Sequence, residues 1–485
     1  MSQRLPLTLA LAAALLGGCA TGDGLTAHNT PRAMADLHAS QSLIGTQVSD
    51  AAWPTEQWWA AFADPQLDAL MQEALANAPS IEAADARTRK ALAQAGVADA
   101  VRKPSVGASA QLAGMQLPET LAGDEIGGHF NLADVLMLKL AWNPDFWGVS
   151  RNKWQAAVGN ARASEVDAQA ARLALTSNIA LTYGALAQAF DALDTAKAET
   201  TRSEALVALN QQRIKAGLDN GIALHQNQST AALARQQTQA AEHQIQQLQN
   251  ALAALLGAGP DRGASITRPQ LQTPALVIPS DLPSGLLARR PDIVAARWRV
   301  EAAQRGVYAS KAAFYPSINL SALVGLASGH LNELFDSKAL LLSGGPALSL
   351  PIFEGGLLKQ QLRSSQADYD LAVASYNQTL LSAIREVTDA VQSAHALDAQ
   401  IGNAKQAYDT AHKAYTQVEQ RQRAGLATRL DLLNAQKPLL QLEHQLSTLH
   451  AVRRSASIQL EQALGGGTAV SAPTATASNE YRHDH

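Results

Sequence analysis

The chain has 485 residues, with 38 Lys and Arg against 42 Asp and Glu, for a formal net charge of −4. This balance gives no electrostatic reason to expect a nucleic-acid partner. Charged residues make up 16% of the chain and aromatic residues 5%, so it is less charged than an ordinary soluble protein. The single cysteine, Cys19, excludes an internal disulfide and any metal site built from several cysteines.

The first residues have the pattern of an export signal. Arg4 precedes an apolar run from Leu5 to Leu16, which is too short to span a bilayer but suits a signal peptide. Leu16-Gly17-Gly18-Cys19 then resembles the bacterial lipobox, in which small residues precede a cysteine that is lipidated. We therefore expect a signal peptide at 1–18, a covalent lipid on Cys19 and a lipid-anchored segment at 19–52. The alternative is an ordinary signal peptide followed by a chance cysteine.

The rest of the sequence repeats itself. Residues 79–109 align without a gap with 291–321, and farther on the Ala-Gly-Leu of 216–218 matches that of 424–426. Because prolines and glycines carry the match, and not only the frequent alanines, the pattern indicates an internal duplication. The predicted boundaries are a first structural repeat at 53–260, a second at 261–467 and a disordered tail at 468–485.

Each repeat is predicted to contain a helix, a pair of strands, a long helix, a turn and a returning helix. Alternation of apolar and polar residues predicts strands with one apolar face, and Asp134 is the exception in the second strand. After each strand pair the apolar spacing becomes helical and averages near 3.5 residues, which is typical of coiled coils. The predicted strands are about 104–117, 130–143, 316–327 and 339–352; the long helices are 149–216 and 357–424; the returning helices are 220–256 and 428–464.

The turns between the long and returning helices each combine a glycine with nearby cations. Gly217 and Gly425 fit the left-handed position after a helix, and cations in a last helical turn complement the helix dipole. Thr428 followed by Asp431 resembles a capping box. The residues that we assign to the two turns are Arg213, Lys215, Gly217 and Leu218 in the first, and Arg421, Arg423, Gly425 and Leu426 in the second.

Four amphipathic strands in one chain leave two unpaired edges, which lipid does not tolerate. No segment after the signal peptide reaches 18 consecutive apolar residues, so a crossing of the membrane would have to use these strands. Several copies would then close one barrel: two would give eight strands, three would give 12 and four would give 16. Because side chains fill a barrel of about eight strands, a passage needs more than two copies.

Four segments carry a resemblance to a known family: QWWAAFADPQLDAL (57–70), LPSGLLARRPDIVAARWRVEAA (282–303), KAAFYPSINL (311–320) and ALSLPIFEGG (347–356). In these the chain resembles the TolC-like outer-membrane efflux channels, in their lipoprotein (OprM- or NodT-like) branch. The resemblance implies a mainly α fold with a membrane β part, in a homotrimer. Four strands per protomer would form a 12-stranded β-barrel, and the long coiled-coil helices a periplasmic α-barrel.

The resemblance also implies a function and partners. The protein would be a lipid-anchored duct in the bacterial outer membrane that passively conducts small molecules to the exterior. Its partners would be outer-membrane lipid, a periplasmic adaptor protein and an inner-membrane pump of the resistance-nodulation or major-facilitator type. The two turns would meet the adaptor, although helix capping alone also explains their residues.

The resemblance further implies a gate near the second turn. Asp431 aligns with an acidic position at the constriction of some relatives, whereas Asn434 replaces a frequent second aspartate. Asp219 is the acid of the first turn, and Arg429 is a candidate partner for Asp431. The gate candidates are therefore Asp219, Arg429, Asp431 and Asn434, with helix capping as the alternative role of Asp431.

Two other functions share part of this pattern. A type I protein-secretion duct belongs to the same family, and a periplasmic coiled-coil lipoprotein that crosses no membrane would share the long helices. The second alternative leaves the four phased strands unexplained. We found no motif of a nucleophilic, metal-dependent or nucleotide-binding enzyme, so we expect no enzyme activity, no catalytic or metal-binding residue and no cofactor besides the lipid.

Overall fold

The structure is a computed structural model, and it describes residues 27–33, 43, 46–47, 49, 53–116, 118–123, 127–280 and 282–468. The signal peptide, Cys19 and the tail after Thr468 lie outside the described residues, so processing, lipidation and a disordered tail stay predictions. The described residues fall into two compact units. The sheet unit comprises 27–31, 88–163 and 296–376, and the helical unit comprises the described residues of 32–87, 164–295 and 377–468.

The described elements follow the same order in both repeats. Short 3-10 helices occupy Trp58–Phe62, Leu331–Glu333 and Ser337–Ala339. The strands are β1 (Ser105–Gln116), β2 (Phe130–Trp142), β3 (Ser317–Ser328) and β4 (Leu340–Ser349). The helices are α1 (Pro65–Asn77), α2 (Pro79–Ala100), α3 (Glu119–Ala122), α4 (Val149–Lys215), α5 (Gly221–Leu255), α6 (Pro260–Ala264), α7 (Leu282–Arg289), α8 (Pro291–Ala312), α9 (Leu357–Arg423) and α10 (Arg429–Ala463).

The four strands form one antiparallel sheet in the order β1-β2-β3-β4. Its register confirms the predicted apolar phase, because one cross-strand row joins Val106, Leu140, Ala322 and Gly344. Side chains of one row lie on one face of the sheet, so the apolar positions of all four strands share that face. Asp134 lies on the same face, where it pairs with Leu112 and Ser328.

The fourth strand is shorter than predicted. It ends at Ser349, whose partner is Ser317, so the expected extension through residue 352 is wrong. Its partner Ser317 is the first residue of β3, so no residue of β3 remains to pair with positions beyond Ser349. A proline alone does not end this strand, because Pro346 lies within β4 opposite Leu320.

The two long helices have 67 residues each. At 1.5 Å per residue, each is about 100 Å long. No described helix combines the length and hydropathy that a membrane span requires. In the helical unit, α4 packs with α1 and α5 around buried Phe62, Met71 and Leu252. Tyr183 belongs to this core, and its hydroxyl donates to Asp64 at 2.9 Å.

Candidate functional site

The first turn ends α4 with a pair of backbone hydrogen bonds. The Gly217 N–H donates to the Ile214 carbonyl at 2.9 Å, and the Leu218 N–H donates to the Arg213 carbonyl at 2.8 Å. Gly217 has φ +73°, so the arrangement is a Schellman motif with glycine in the left-handed position. The predicted left-handed cap is confirmed. The Leu218 side chain, just after it, is 69% exposed.

The second turn ends α9 in the same way. The Gly425 N–H donates to the Gln422 carbonyl at 3.1 Å, and the Leu426 N–H donates to the Arg421 carbonyl at 2.8 Å. Gly425 has φ +76°, and the Leu426 side chain is 70% exposed. Each turn therefore presents one leucine to solvent beside a glycine that its backbone conformation requires.

The returning helix α5 begins at a different kind of cap. The Asn220 side chain accepts a hydrogen bond from the Ile222 N–H at 3.1 Å, which satisfies one free donor of the first turn of the helix. Asp219 accepts the Asn220 N–H at 2.8 Å and pairs with the Arg213 guanidinium at 3.2 Å. These two contacts, the backbone N–H foremost, lower the pKa of Asp219 below its ordinary value.

The returning helix α10 begins at a capping box. The Thr428 N–H donates to the Asp431 carboxylate at 2.8 Å, and the Asp431 N–H donates to the Thr428 hydroxyl oxygen at 3.2 Å. The Thr428 hydroxyl itself donates to that carboxylate at 2.7 Å. The predicted capping box is thus confirmed.

The same hydrogen bonds fix the position of the Asp431 carboxylate. The Thr428 hydroxyl and N–H lower the pKa of Asp431, and Arg421 adds a smaller electrostatic contribution. Within this one chain, the hydrogen bonds to Asp431 come from Thr428, Arg421 contributes only its charge, and the expected partner Arg429 makes no ion pair with Asp431. Asn434, the remaining gate candidate, is exposed on α10 one turn farther along.

Cations outnumber acids at both turns. Arg213 pairs with Asp219, and Arg423 pairs with Glu419 at 2.9 Å. Lys215, Arg421 and Arg429 make no ion pair within the described part of the chain. The two turns therefore each present an exposed leucine, and together they carry three cations without an ion pair among the described residues.

One buried contact near the second turn was missed by the sequence analysis. Arg202 on α4 is buried; it donates to the Glu199 carboxylate at 2.6 and 2.7 Å, and to the Leu433 carbonyl on α10 at 3.2 Å. Burial acts to raise the pKa of Glu199, but the Arg202 contact outweighs it and the pKa is lowered. The Glu-x-x-Arg spacing was a visible signal, whereas the bond to Leu433 links residues far apart in the sequence.

The sheet unit has a second exposed surface. On the apolar face of the sheet, Val106, Leu342 and Leu348 each expose at least 70% of their surface. An exposed apolar face of this extent marks a surface that another apolar phase covers.

Aromatic residues stand where the strands join the helices. The Trp147 indole stacks on Tyr315 at 4.9 Å between ring centroids and donates to the Pro316 carbonyl at 2.7 Å. The Trp142 indole likewise donates to the Arg102 carbonyl at 3.2 Å. Both tryptophans belong to the first repeat, but Trp142 contacts the junction of α2 and β1 in that repeat, whereas Trp147 contacts the junction of α8 and β3 in the second.

Comparison with known proteins identifies the class. The family model described as "Outer membrane efflux protein" matches residues 70–258 and 282–466, one segment in each repeat. The "Multidrug resistance outer membrane protein MdtP" of Escherichia coli strain K12 is 32% identical over 434 residues, covering 87% of this chain and 88% of that protein. The "Fusaric acid resistance protein FusA" of Burkholderia cepacia is 36% identical over 371 residues, covering 74% and 69%.

Solved structures agree. The outer membrane protein VceC of Vibrio cholerae superposes with a TM-score of 0.78 at 37% identity, covering 86% of this chain and all of that one. The chain therefore belongs to the outer membrane efflux protein family. It is an outer-membrane exit duct, and channels of this family form trimers and work in tripartite efflux systems.

Proposed function

We propose that this duct receives small molecules, such as drugs and toxic organic compounds, from an inner-membrane pump through a periplasmic adaptor that contacts the two helical turns. The carrying observation is that both turns are closed alike and present an exposed leucine beside unpaired cations. The printed names of MdtP and FusA, which refer to multidrug and fusaric acid resistance, favour small molecules over secreted proteins. We expect no enzyme activity.

The adaptor contact is tested by photo-crosslinking in cells. A benzoylphenylalanine at Leu218 or at Leu426 should crosslink to the adaptor, because both side chains project from the turns. The same residue at Val452, which is exposed on α10 away from the turns, is the control. Equal crosslinking at all three positions, or none at the turns in a strain that still exports, would remove the turns from the contact.

We propose further that the sheet is the membrane part, with three copies supplying 12 strands to one barrel whose apolar rows face lipid. Val324 lies near the middle of β3 on the apolar face, and Ser321 lies on the opposite face. Val324→Arg should destabilise assembly by about 2–4 kcal/mol if it sits near the bilayer midplane, and Ser321→Arg should be milder. Equal loss of heat-resistant trimers in the two variants would contradict this assignment.

The gate proposal concerns Asp431 and its neighbours. Three copies of Asp431 near the channel axis would repel one another, so a closed ring needs compensating hydrogen bonds or cations. Thr428→Ala and Asp431→Ala both break the capping box, but only the second removes the carboxylate. In planar bilayers, Asp431→Ala should raise the closed-state conductance and Thr428→Ala should not; Asp219, Arg429 and Asn434 are examined by the same measurement. Equal conductance in the two variants would leave Asp431 with the capping role.

The lipid on Cys19 is also a proposal. Intact mass should show loss of residues 1–18 and the addition of acyl chains. Trimers should survive Cys19→Ala if the strands themselves anchor the protein. An unmodified N-terminus at another residue would exclude the lipidation.

A further inference from the structure

The face of the sheet opposite the apolar rows carries one charged residue in the described strands. Lys139 of β2 pairs with Gly107 of β1 and with Leu323 of β3, and Leu323 pairs in turn with Ser343 of β4. Residues of one cross-strand row share a face, and we call this one the lysine face. Its other positions in β1 to β4 are uncharged, and most of them are Ser, Gly or Ala.

No described acid neutralises this lysine. The Lys139 side chain is exposed and makes no ion pair with a described residue. Asp134, the other charged residue of the four strands, lies on the apolar face and five residues before it, or about 16 Å along the strand. That distance is about twice the screening length of about 8 Å at physiological ionic strength. An added Cβ at Gly107 would meet no atom within 4 Å, so the space beside the lysine is open.

The acids of the described hairpin loops lie at the other end of the sheet. Glu119 follows β1, and two more acids, Glu333 and Asp336, follow β3. Lys139 is nine residues, or about 30 Å, from Phe130, where β2 leaves its hairpin loop. The lysine therefore stands near the end at which the strands join the helices, and screening separates it from the hairpin acids.

In a trimeric barrel this one residue becomes a ring. This step rests on the proposed function, in which three sheets close a 12-stranded barrel with their apolar rows toward lipid. Twelve strands about 4.8 Å apart and tilted by about 40° place the backbone about 12 Å from the barrel axis. The four-carbon stem of lysine spans about half of that radius, so the three ammonium groups would lie about 10 Å from one another.

A ring of cations in a channel attracts anions. Rings of Lys or Arg side chains line pores that conduct anions, and substitutions on the inner face of a membrane barrel change its selectivity. We propose that Lys139 is a charge-selecting residue of the duct. Its three copies favour anionic small molecules on their way to the exterior, those with two or three carboxylates most strongly, and disfavour cationic ones.

Block of the ion current through purified channels in planar bilayers tests this role. The probe is benzene-1,3,5-tricarboxylate, an anion with threefold symmetry, added on the hairpin side in about 0.1 M salt. Lys139→Gln should raise the half-blocking concentration about tenfold or more, because each copy loses its attraction for one carboxylate. Lys139→Arg keeps the charge and should change it by less than about threefold. The current before the probe is added shows that each variant forms a channel.

A matched control removes another exposed cation of the sheet unit. Lys338 lies between β3 and β4 at the hairpin end, and Lys338→Gln should leave the block unchanged. Raising the salt to about 1 M should weaken the block in the parent protein, since the screening length falls to about 3 Å. Equal block in the parent and in Lys139→Gln would overturn the selecting role, as would equal weakening in Lys139→Gln and Lys338→Gln.

Cysteine reporters separate this result from the arrangement of the sheet on which it rests. A charged, water-soluble methanethiosulfonate should react with Ser321→Cys on the lysine face and not with Val324→Cys on the apolar face. The parent, with Cys19 alone, is the control. If Ser321→Cys reacts and Lys139→Gln leaves the block unchanged, the arrangement stands and the selecting role is wrong. If only Val324→Cys reacts, the face assignment is wrong and the selecting role falls with it.

Discussion

The two helical turns end one helix identically and begin the next one differently. Gly217 and Gly425 end the long helices with the same pair of backbone hydrogen bonds. This pair forms wherever the residue after the helix adopts the left-handed conformation, as both glycines do. The first returning helix then uses a charge pair beside its cap, whereas the second uses a hydroxyl and a carboxylate that bond each other. The two repeats therefore share the backbone hydrogen bonds that end the long helices, whereas the side chains that cap the returning helices differ between them.

The link from α4 to the two returning helices differs even more. Arg202 joins α4 to α10 and is 3% exposed, whereas Arg235 of α5 pairs with Glu204 of α4 at a half-exposed position. Arg202→Ala should cost about 3 kcal/mol, because it removes the cation beside the partly buried Glu199 carboxylate, which then keeps only the hydrogen bond from the Ser203 hydroxyl. Arg235→Ala should cost about 0–1 kcal/mol. Denaturant unfolding of the helical unit within the trimer measures both variants. A similar loss of stability in Arg202→Ala and Arg235→Ala would show that burial does not strengthen the Arg202 contact.

Substitution of the two turn glycines should give the next largest loss of stability, and the loss should be the same in both turns. Gly217→Ala and Gly425→Ala should each cost about 1–2 kcal/mol, since an L-residue is strained at positive φ. An added Cβ meets no atom within 4 Å at either position, so crowding makes no contribution. Gly402 has the same open surroundings inside α9, and there Ala should stabilise by about 0.5–1 kcal/mol. Thermal unfolding of the three variants measures this; a loss for Gly402→Ala would show that φ is not the cause.

These turns also show what the sequence could predict. The left-handed glycines, the capping box and the strand phase depend on residues close together in the sequence, and the structure confirms them. Arg202 with Leu433, and Asp370 with His28, join residues hundreds of positions apart, so no local pattern reports them. Asp134 was visible as an interruption of the apolar phase, but its neighbours Leu112 and Ser328 follow only from the register.

The N-terminal caps of α5 and α10 should differ in whether the stability effects of two substitutions add. Thr428→Ala and Asn220→Ala should each cost about 1 kcal/mol. In the second turn, Thr428→Ala with Asp431→Ala should cost less than the sum of the single changes, because the two side chains bond each other. In the first turn, Asn220→Ala with Asp219→Ala should be additive, since Asp219 uses the backbone N–H of residue 220, which alanine retains. Additivity in both turns would mean that the capping box is not formed in solution.

The smallest effect concerns acid and salt. The pKa values of Asp219 and Asp431 are both lowered, so the stability that each carboxylate adds is complete above its unfolded pKa of about 3.9 and is lost as the pH falls through the folded value. Each turn should therefore loosen below about pH 4.

Salt separates the two turns. Asp219 depends partly on the charge of Arg213, and 1 M salt shortens the screening length to about 3 Å, so the first turn should lose protection first. Asp431 depends mainly on bonds from the uncharged Thr428, which salt affects little. Cleavage by an acid protease at exposed Leu218, divided by cleavage at exposed Leu426, measures this difference and cancels changes in the protease itself. The ratio should rise with salt at pH 3–4 in the parent protein and stay constant in Arg213→Ala; a ratio that salt leaves constant in the parent would mean that the Arg213 pair contributes nothing to the first turn.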